Sequence, residues 1–354
     1  MVGFLLFGSA VFPAQAGFTD LYVFGDGISA TTNNPSPGPL YYGKRYSNGR
    51  VWVEVLAQRQ GLILYPTNNW SYFYNSCTSM LANVNSFIAP ANATNALFVI
   101  WVNCADLWFP ATYSGTSMSQ WTNAINQSQT NHYKAVTNLY YAKGARTLIM
   151  PNAVDLSSIP GFNASVNANF IHLRCLDYNI AFSNTLNRIR ASCPNLTLYS
   201  PDFCTLLTNI LAHPASYGVT NALGDGLSID AIDALNYGFP SATTNGFGTN
   251  FVFWDPNDPT AMVHMWMADV AQQLISPVQI SNFTVLNGSN RLDMANVPIG
   301  QNGLVIGRTN LVLGNWTTNV SFNSTNVTQT VFFVPASDPQ CFYRLSFPYS
   351  WTWP

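Results

Sequence analysis

The amino-acid sequence predicts an α/β/α sandwich with a parallel sheet, followed by a small all-β domain. Short apolar runs alternate with longer stretches of helical spacing over most of the chain, and this pattern ends at Ser276-Pro277. Strand–helix alternation is typical of a parallel sheet covered by helices on both faces. We therefore expect an α/β domain over residues 17–277 and a β domain over residues 278–354.

Four short runs predict the buried strands of the sheet. Each is rich in bulky apolar residues and is followed by residue types that commonly end a strand. Continuous apolar runs are typical of parallel strands that are covered on both faces. The predicted strands are Leu21–Phe24, Ala96–Val102, Thr147–Met150 and Leu196–Tyr199.

The stretches between these runs have helical length and spacing. Asn131–Lys143 and Val166–Ala191 are predicted as helices, and Thr260–Ile275 is predicted to close the domain. In the last of these, apolar residues recur at helical spacing, so one of its faces should pack on the sheet. These residues are Val263, Met267, Val270 and Leu274.

Residues 278–354 show strands and turns instead. Gly303–Ile306, Leu311–Leu313 and Thr330–Val334 are predicted strands, separated by Asn-Gly, Gly-Asn and Ser-Asp-Pro turn signals. The sequence leaves two roles open for this domain, a structural tail or a binding module.

The N-terminus has the features of an export signal. An apolar stretch runs from Phe4 to Phe12, and Ala14-Gln15-Ala16 supplies a small-x-small cleavage pattern. No Lys or Arg precedes the apolar stretch, so a buried N-terminal strand is the alternative. Residues 1–16 are predicted to be a signal peptide, and the mature chain is expected to be secreted, in an extracellular or periplasmic location. No other segment approaches the 18 apolar residues that a membrane span requires.

The composition narrows the choice of partners. The net charge is −2, which argues against binding to nucleic acid or to an acidic membrane surface. Only 8% of the residues are charged, whereas about 25% is usual, and 14% are aromatic. Amide and hydroxyl side chains, rather than charged ones, therefore supply most of the polar surface. Such a surface favours a glycan or an extracellular protein assembly as the partner.

Six cysteines are compatible with an oxidising compartment. Their spacing contains no C-x-x-C pattern, and the four histidines show no H-x-x-x-H pattern, so no metal site is predicted. Cys77 with Cys104, and Cys193 with Cys204, are the candidate disulfides. For the first pair, two separate thiols are an open alternative.

Sequence blocks near the predicted strand ends point to a particular chemistry. The first is Phe24-Gly25-Asp26-Gly27-Ile28-Ser29, and Arg45–Trp52 (RYSNGRVW) follows it. The later blocks are Asn68–Asn75, Phe98–Asp106 and Phe253–Thr260. In this order, over roughly residues 18–276, they resemble the GDSL/SGNH hydrolases, which show F-G-D-S-x-S, R-F-S-N-G-x-V-W, N-x-A-x-G-G-A, G-x-N-D and F-W-D-x-x-H-P-T.

The resemblance implies a serine esterase that needs no cofactor. A serine after the first strand attacks the ester carbonyl, and a histidine held by an aspartate three residues earlier takes the serine proton. A backbone N–H, a glycine N–H and an asparagine side chain hold the oxyanion. In this chain the family positions are occupied by Gly27 (nucleophile), Tyr74 (glycine), Ala105 (asparagine), Asp255 (aspartate) and Asp258 (histidine).

Most of the catalytic groups are therefore predicted to be missing. An active enzyme would need Ser29 or another hydroxyl as the nucleophile and His264 as the base, although His264 has the wrong spacing from Asp255 for the family loop. If the cleft still binds a ligand, the side chains expected to contact it are Asp26, Phe73, Tyr74, Asn103 and Trp254.

Two hypotheses follow from this pattern. The first is a non-catalytic secreted protein on the hydrolase scaffold, with a binding or structural role outside the cell. The second is an active carboxylic-ester or acetyl-ester hydrolase with relocated catalytic residues. They differ in whether a serine hydroxyl meets an imidazole near the strand ends.

Overall fold

The computed structural model of this chain describes residues 17–32, 37–219, 230–236, 251–310, 313–334 and 341–347. The chain folds into two compact units. One contains most of residues 18–275, and the other contains Arg59–Gly61 and the residues from Ser276 onward. The predicted signal peptide, residues 1–16, lies outside the described residues.

The first unit is built on the predicted parallel sheet, and the α/β fold class is confirmed. The strands lie in chain order, and adjacent ones pair in parallel, with Leu21 opposite Leu97 and Thr147 opposite Thr197. Every residue of the first two strands is buried, as expected for strands covered on both faces. The four strands are β1 (Leu21–Gly25), β2 (Leu97–Trp101), β3 (Thr147–Ile149) and β4 (Thr197–Tyr199).

Helices connect and cover these strands. The predicted helix Asn131–Lys143 is the second half of a 24-residue helix, because the polar residues of its first half obscure the apolar spacing. The helices are α1 (Trp52–Arg59), α2 (Cys77–Ser86), α3 (Asn103–Tyr113), α4 (Met118–Tyr141), α5 (Pro160–Asn163), α6 (Ala168–Ser192), α7 (Phe203–Ala212), α8 (Ala231–Asn236) and α9 (Ala261–Ile275). No helix within the described ranges is long and apolar enough to cross a membrane.

The second unit consists of two antiparallel sheets. One has the order β5-β6-β9 and the other β10-β7-β8, with Leu292, Val305 and Phe333 in their shared core. The predicted strands at 303–306 and 330–334 correspond to β7 and β9, whereas residues 311–312 of the third lie outside the described residues. The strands are β5 (Gln279–Leu286), β6 (Ser289–Ala295), β7 (Asn302–Arg308), β8 (Thr317–Asn323), β9 (Thr328–Phe333) and β10 (Phe342–Ser346).

One edge of the parallel sheet positions the candidate site. Because the strands are parallel, the segments that follow them all emerge at their carboxyl ends, which is where ligands bind in open α/β sheets. Gly27 follows β1, and α3 begins two residues after β2. The loop at 150–159 follows β3 at the same edge.

Candidate functional site

The turn after β1 places Gly27 where the resemblance expects a nucleophile. Asp26 caps a single 3₁₀ turn over Gly27–Ser29, and its Oδ1 accepts the N–H of Ile28 at 3.2 Å. A Cβ added to Gly27 would lie 3.2 Å from Cδ2 of Phe73 and 3.5 Å from its Cα. The position has no hydroxyl, and the Phe73 ring lies where a larger side chain would extend.

Tyr74 occupies a backbone conformation that suits glycine. Its φ is +65°, in the left-handed region that side chains with a Cβ rarely adopt. The ring is 55% exposed, with its centroid 3.9 Å from that of Phe73 and 5.2 Å from that of Trp108. On its other side, Phe73 stacks on Tyr46 at 4.5 Å between centroids. Aromatic rings thus replace the expected glycine pair.

Neither Ala105 nor Asn103 offers a free side-chain donor at this edge. Ala105 has no side-chain donor, and its backbone N–H donates to Oδ2 of Asp26 at 3.2 Å. Asn103 is buried, and its Nδ2 donates to the carbonyl of Pro151 at 2.9 Å. The structure therefore corrects the prediction that Asn103 contacts a ligand, because its side chain joins α3 to the segment after β3.

Two carboxyl groups meet where the family has its aspartate and histidine. Oδ1 of Asp255 accepts the N–H groups of Asn257 and Asp258 at 2.9 and 2.8 Å, and Oδ2 accepts the Tyr41 hydroxyl at 2.8 Å. A side-chain hydrogen bond also links Asp255 with Asp258. Burial, and then the neighbouring charge of Asp255, hold the pKa of Asp258 well above its ordinary value. The carboxyl of Asp258 is therefore held toward its protonated form, which opposes a role as a base.

Asp26 adds a third buried carboxyl to this edge. Burial raises its pKa to about 7, although the N–H groups of Ala105 and Ile28 oppose the shift. No Lys or Arg among the described residues forms an ion pair with Asp26, Asp255 or Asp258. Protonation limits the cost of burying these carboxyls, since an unpaired charge is expensive in the interior.

The fallback pair does not form. The indole N–H of Trp52 donates to Oγ of Ser29 at 3.0 Å, and its backbone N–H donates to Nδ1 of His264 at 3.2 Å. Both side chains are fully buried, and burial lowers the pKa of His264 to about 3. Ser29 and His264 thus lie on either side of Trp52 as packing residues, and no hydrogen bond joins them.

Two further predictions require correction. Trp254 is fully buried in a cluster with Ala231 and Phe251, so it presents no surface to a ligand. All six cysteines are free thiols, so neither predicted disulfide is present. The sulfur of Cys77 accepts from Asn131 in α4, whereas Cys104 lies near Asp26 and Cys175. Cys193 precedes β4 and Cys204 follows it, which places them at opposite ends of that strand.

Two openings meet beside the aromatic rings. A small cavity of about 60 Å³ lies over Gly27, and apolar side chains form most of its wall. A larger groove of about 570 Å³ lies beside it, between the starts of α2 and α4 and the outer face of α3. Tyr74, Ala105 and Trp108 line both. Of the predicted ligand contacts, Asp26, Phe73 and Tyr74 lie at the cavity.

Three aromatic residues of the groove were not predicted from the sequence. Trp108, Phe109 and Tyr113 project from α3, and the last two are 61% and 65% exposed. Phe109 and Tyr113 are four residues apart, so they share a helix face. The four-residue spacing of two aromatic residues could have indicated this surface. It directly follows the strand-end motif, in which Ala105 and Asp106 were the residues with an expected role.

A buried polar network behind the groove was also missed. Oγ of Ser128 donates to Oδ2 of Asp106 at 2.5 Å, and it lies 2.8 Å from the Tyr178 hydroxyl and 3.3 Å from Nδ1 of His132. Oδ1 of Asp106 accepts the N–H of Cys77 at 2.9 Å. The network joins α2, α3, α4 and α6 through residues that lie far apart in the sequence.

Comparison with known proteins gives one related sequence and several similar structures. No family model matches the chain. The thermolabile hemolysin of Vibrio parahaemolyticus is 23% identical over 266 residues, which cover 69% of this chain and 61% of that protein. The chain therefore spans less than two thirds of the length of this relative. The resemblance to GDSL/SGNH hydrolases is confirmed.

Solved structures of enzymes are similar at low identity. An acetylxylan esterase from Geobacillus stearothermophilus has 13% identity and a TM-score of 0.41, covering 75% of this chain and 97% of its own. A lipase from a goat rumen metagenome has 13% identity and a TM-score of 0.41, covering 73% and 97%. A gut microbial diltiazem-metabolizing enzyme has 10% identity and a TM-score of 0.46, covering 86% and 61%.

Proposed function

We propose that this chain is a secreted, non-catalytic protein on an SGNH-type hydrolase scaffold, with a binding role outside the cell. The observation that carries the proposal is Gly27 at the nucleophile position, with Phe73 packed 3.2 Å from where its Cβ would be. Acyl transfer through this site requires a hydroxyl that no nearby side chain supplies. Ser29, two residues away, is buried and bonded to Trp52.

The size of the expected losses supports the same conclusion. Removal of one oxyanion donor costs roughly 10²–10³ in rate. Removal of the nucleophile or the base of a triad costs on the order of 10⁶. Here Asp258 replaces the base and is held protonated, and Ala105 replaces the side-chain donor. These losses do not add, but the loss of the nucleophile and the base leaves no route to an acyl-enzyme.

A binding role is supported by what has replaced the catalytic groups. Tyr74 and Trp108 form an aromatic rim where a hydrolase cleft would open, and the groove beside them is large enough for a small ligand. The signal-peptide pattern of residues 1–16 and the low charge of the chain support an extracellular location. We propose the β domain of residues 278–354 as an appended module of the same secreted protein.

The test is a search for a reactive serine. Purified protein is incubated with an active-site-directed phosphonate and with short-chain aryl esters, and labelled peptides are located by mass spectrometry. We expect no stoichiometric label and no turnover above that of the Ser29→Ala variant, which serves as the matched control. We also expect no red-cell lysis, the activity in the name of the relative. Stoichiometric labelling of any serine would overturn the proposal.

A single back-substitution provides a sharper version of this test. We expect that Gly27→Ser folds and remains inactive toward aryl esters, because Asp258 and Ala105 still supply neither base nor oxyanion donor. The control is the combined variant Gly27→Ser/Ala105→Asn/Asp258→His, which restores the family residues at three positions. Turnover by Gly27→Ser alone would show that a base and an oxyanion hole are already in place.

A further inference from the structure

The groove beside the candidate site has the dimensions of a ligand site. Its volume is about 570 Å³, within the range of about 300–1,000 Å³ that is usual for small-molecule pockets. It is separate from the cavity over Gly27, although Tyr74 and Trp108 line both. A ligand bound there would contact α3, the first turn of α2 and the second and third turns of α4, and it would not need Gly27.

The aromatic rings of the groove are held in fixed orientations. Trp108 meets Tyr74 at 5.2 Å and Tyr113 at 6.0 Å, both edge to face, and Phe109 lies 4.9 Å from Tyr113. The indole N–H of Trp108 donates to Oδ1 of Asn257 at 2.9 Å, which fixes that ring further. Exposed rings that neighbours already immobilise lose little side-chain entropy on binding.

The groove contains no positively charged side chain and a single carboxyl group. None of its lining residues is Lys, Arg or Glu, and its one carboxyl belongs to Asp106. Both oxygens of that carboxyl are engaged, with the N–H of Cys77 and the hydroxyl of Ser128. An anionic ligand would therefore find no counter-charge, and a cation would meet only a carboxyl whose two oxygens already accept hydrogen bonds. The polar groups near the rings are instead neutral, namely Ser76, Thr78 and Gln127.

We propose that this groove binds a neutral carbohydrate, with pyranose rings lying on the faces of Trp108 and Tyr113. The C–H face of a pyranose carries partial positive charge and suits the negative face of an aromatic ring. Its equatorial hydroxyls hydrogen-bond at the ring edge, where Thr78 and Gln127 are exposed. This inference rests on the proposed binding function and gives it a site and a ligand class.

Affinity electrophoresis tests this inference on the full chain. The probes are gels that contain a neutral polysaccharide (xylan, mixed-linkage β-glucan, galactomannan, starch or dextran) or the anionic polygalacturonate. We expect retardation in at least one neutral gel and none in polygalacturonate. Tyr113→Ala and Phe109→Ala should each weaken that binding about tenfold or more. Tyr141→Ala is the matched control, because Tyr141 is also an exposed tyrosine but lies at the far end of α4.

Other outcomes overturn the inference. Absence of retardation in every neutral gel would exclude the carbohydrate site, and so would retardation that persists unchanged in both groove variants. Trp108→Phe keeps a ring if Trp108→Ala fails to fold, and melting curves establish folding for each variant. Failure here leaves the phosphonate result untouched, so the loss of catalysis and the identity of the ligand are tested separately.

Discussion

Two regions of the α/β unit each have some features of a serine hydrolase site, and neither has all of them. The carboxyl edge of the sheet has the right position and an adjoining cavity, but it offers Gly27 and a protonated Asp258. The network behind α3 has the right residue types, with Ser128 within hydrogen-bond distance of Asp106 and close to His132. That serine is fully buried, and no opening reaches it through the described residues that line the cavity and the groove.

The difference shows that residue types alone do not make a catalytic site. Ser128 contributes its hydroxyl to Asp106, and Nδ1 of His132 lies 2.8 Å from the carbonyl of Ser128 within the same helix. Burial lowers the pKa of His132, so the imidazole stays neutral. The buried set therefore stabilises the packing of helices, whereas the open edge has the access that chemistry would need.

The largest expected effect comes from breaking the buried network. Asp106→Ala leaves the N–H of Cys77 and the hydroxyl of Ser128 without an acceptor in the interior. We expect the free energy of unfolding to fall by about 3 kcal/mol, as is typical when one partner of a buried polar network is removed. Urea titration measures this loss. The exposed Asp177→Ala variant is the control, with an expected change of less than about 0.5 kcal/mol. A cost below that of the control would contradict a structural role for the network.

The second effect is on the pH dependence of stability at the carboxyl edge of the sheet. Its sign is opposite to that of a carboxyl whose pKa is lowered by folding. Folded Asp258 holds its proton to a higher pH than its ordinary pKa of 3.8 permits in the unfolded chain, so the folded state binds more protons. Stability from this group is complete below pH 3.8 and falls as the pH rises toward the folded pKa. Asp26, with a pKa raised to about 7, adds to the same trend.

Asp258→Asn removes one of these protons while keeping a donor toward Asp255. We expect the variant to gain stability relative to the parent as the pH rises from 4 to 8, because the folded parent must keep a proton that the unfolded chain releases. Urea unfolding at both pH values measures the difference. Asp177→Asn is the control and should follow the parent at both. Equal stability of Asp258→Asn and the parent at pH 8 would mean that Asp258 is already ionised without cost.

The smallest effect concerns the backbone of Tyr74. Both Tyr74→Gly and Tyr74→Ala lose the ring contacts, but only glycine relieves the left-handed φ of +65°. We expect Tyr74→Gly to be about 1 kcal/mol more stable than Tyr74→Ala. The order should invert at Phe109, inside α3, where glycine is about 1 kcal/mol worse than alanine. Alanine as the better residue at both positions would show that the backbone at 74 relaxes without cost.

The sequence predicted those features that depend on local pattern or on motif order. The four apolar runs became the four strands within two residues. In β1 and β2, continuous burial accounts for the unbroken apolar signature. The position of Gly27 followed from its place after β1. By contrast, β5 was not predicted, since most of its residues are exposed and it shows no clean alternation.

Features that depend on distant parts of the chain were not accessible from the sequence. The Asp106 network joins residues separated by 22 and 50 positions, and nothing local marks them as neighbours. Trp254 lies in a family motif, which suggested the site, although its ring packs against Phe251. Cys193 and Cys204 flank β4 in the sequence, which suggested that they pair. Their spacing does not show that the strand carries them to opposite ends.

The contact between Phe73 and Gly27 also bears on how such a protein evolves. A serine returned to position 27 would place its Cβ 3.2 Å from the phenyl ring, so its hydroxyl would face an aromatic wall. The ring of Phe73 would have to move by a few tenths of an ångström to admit that side chain. If the chain is non-catalytic, as we propose, the serine alone would bring no activity, so a hydrolase could arise here only through several substitutions made together.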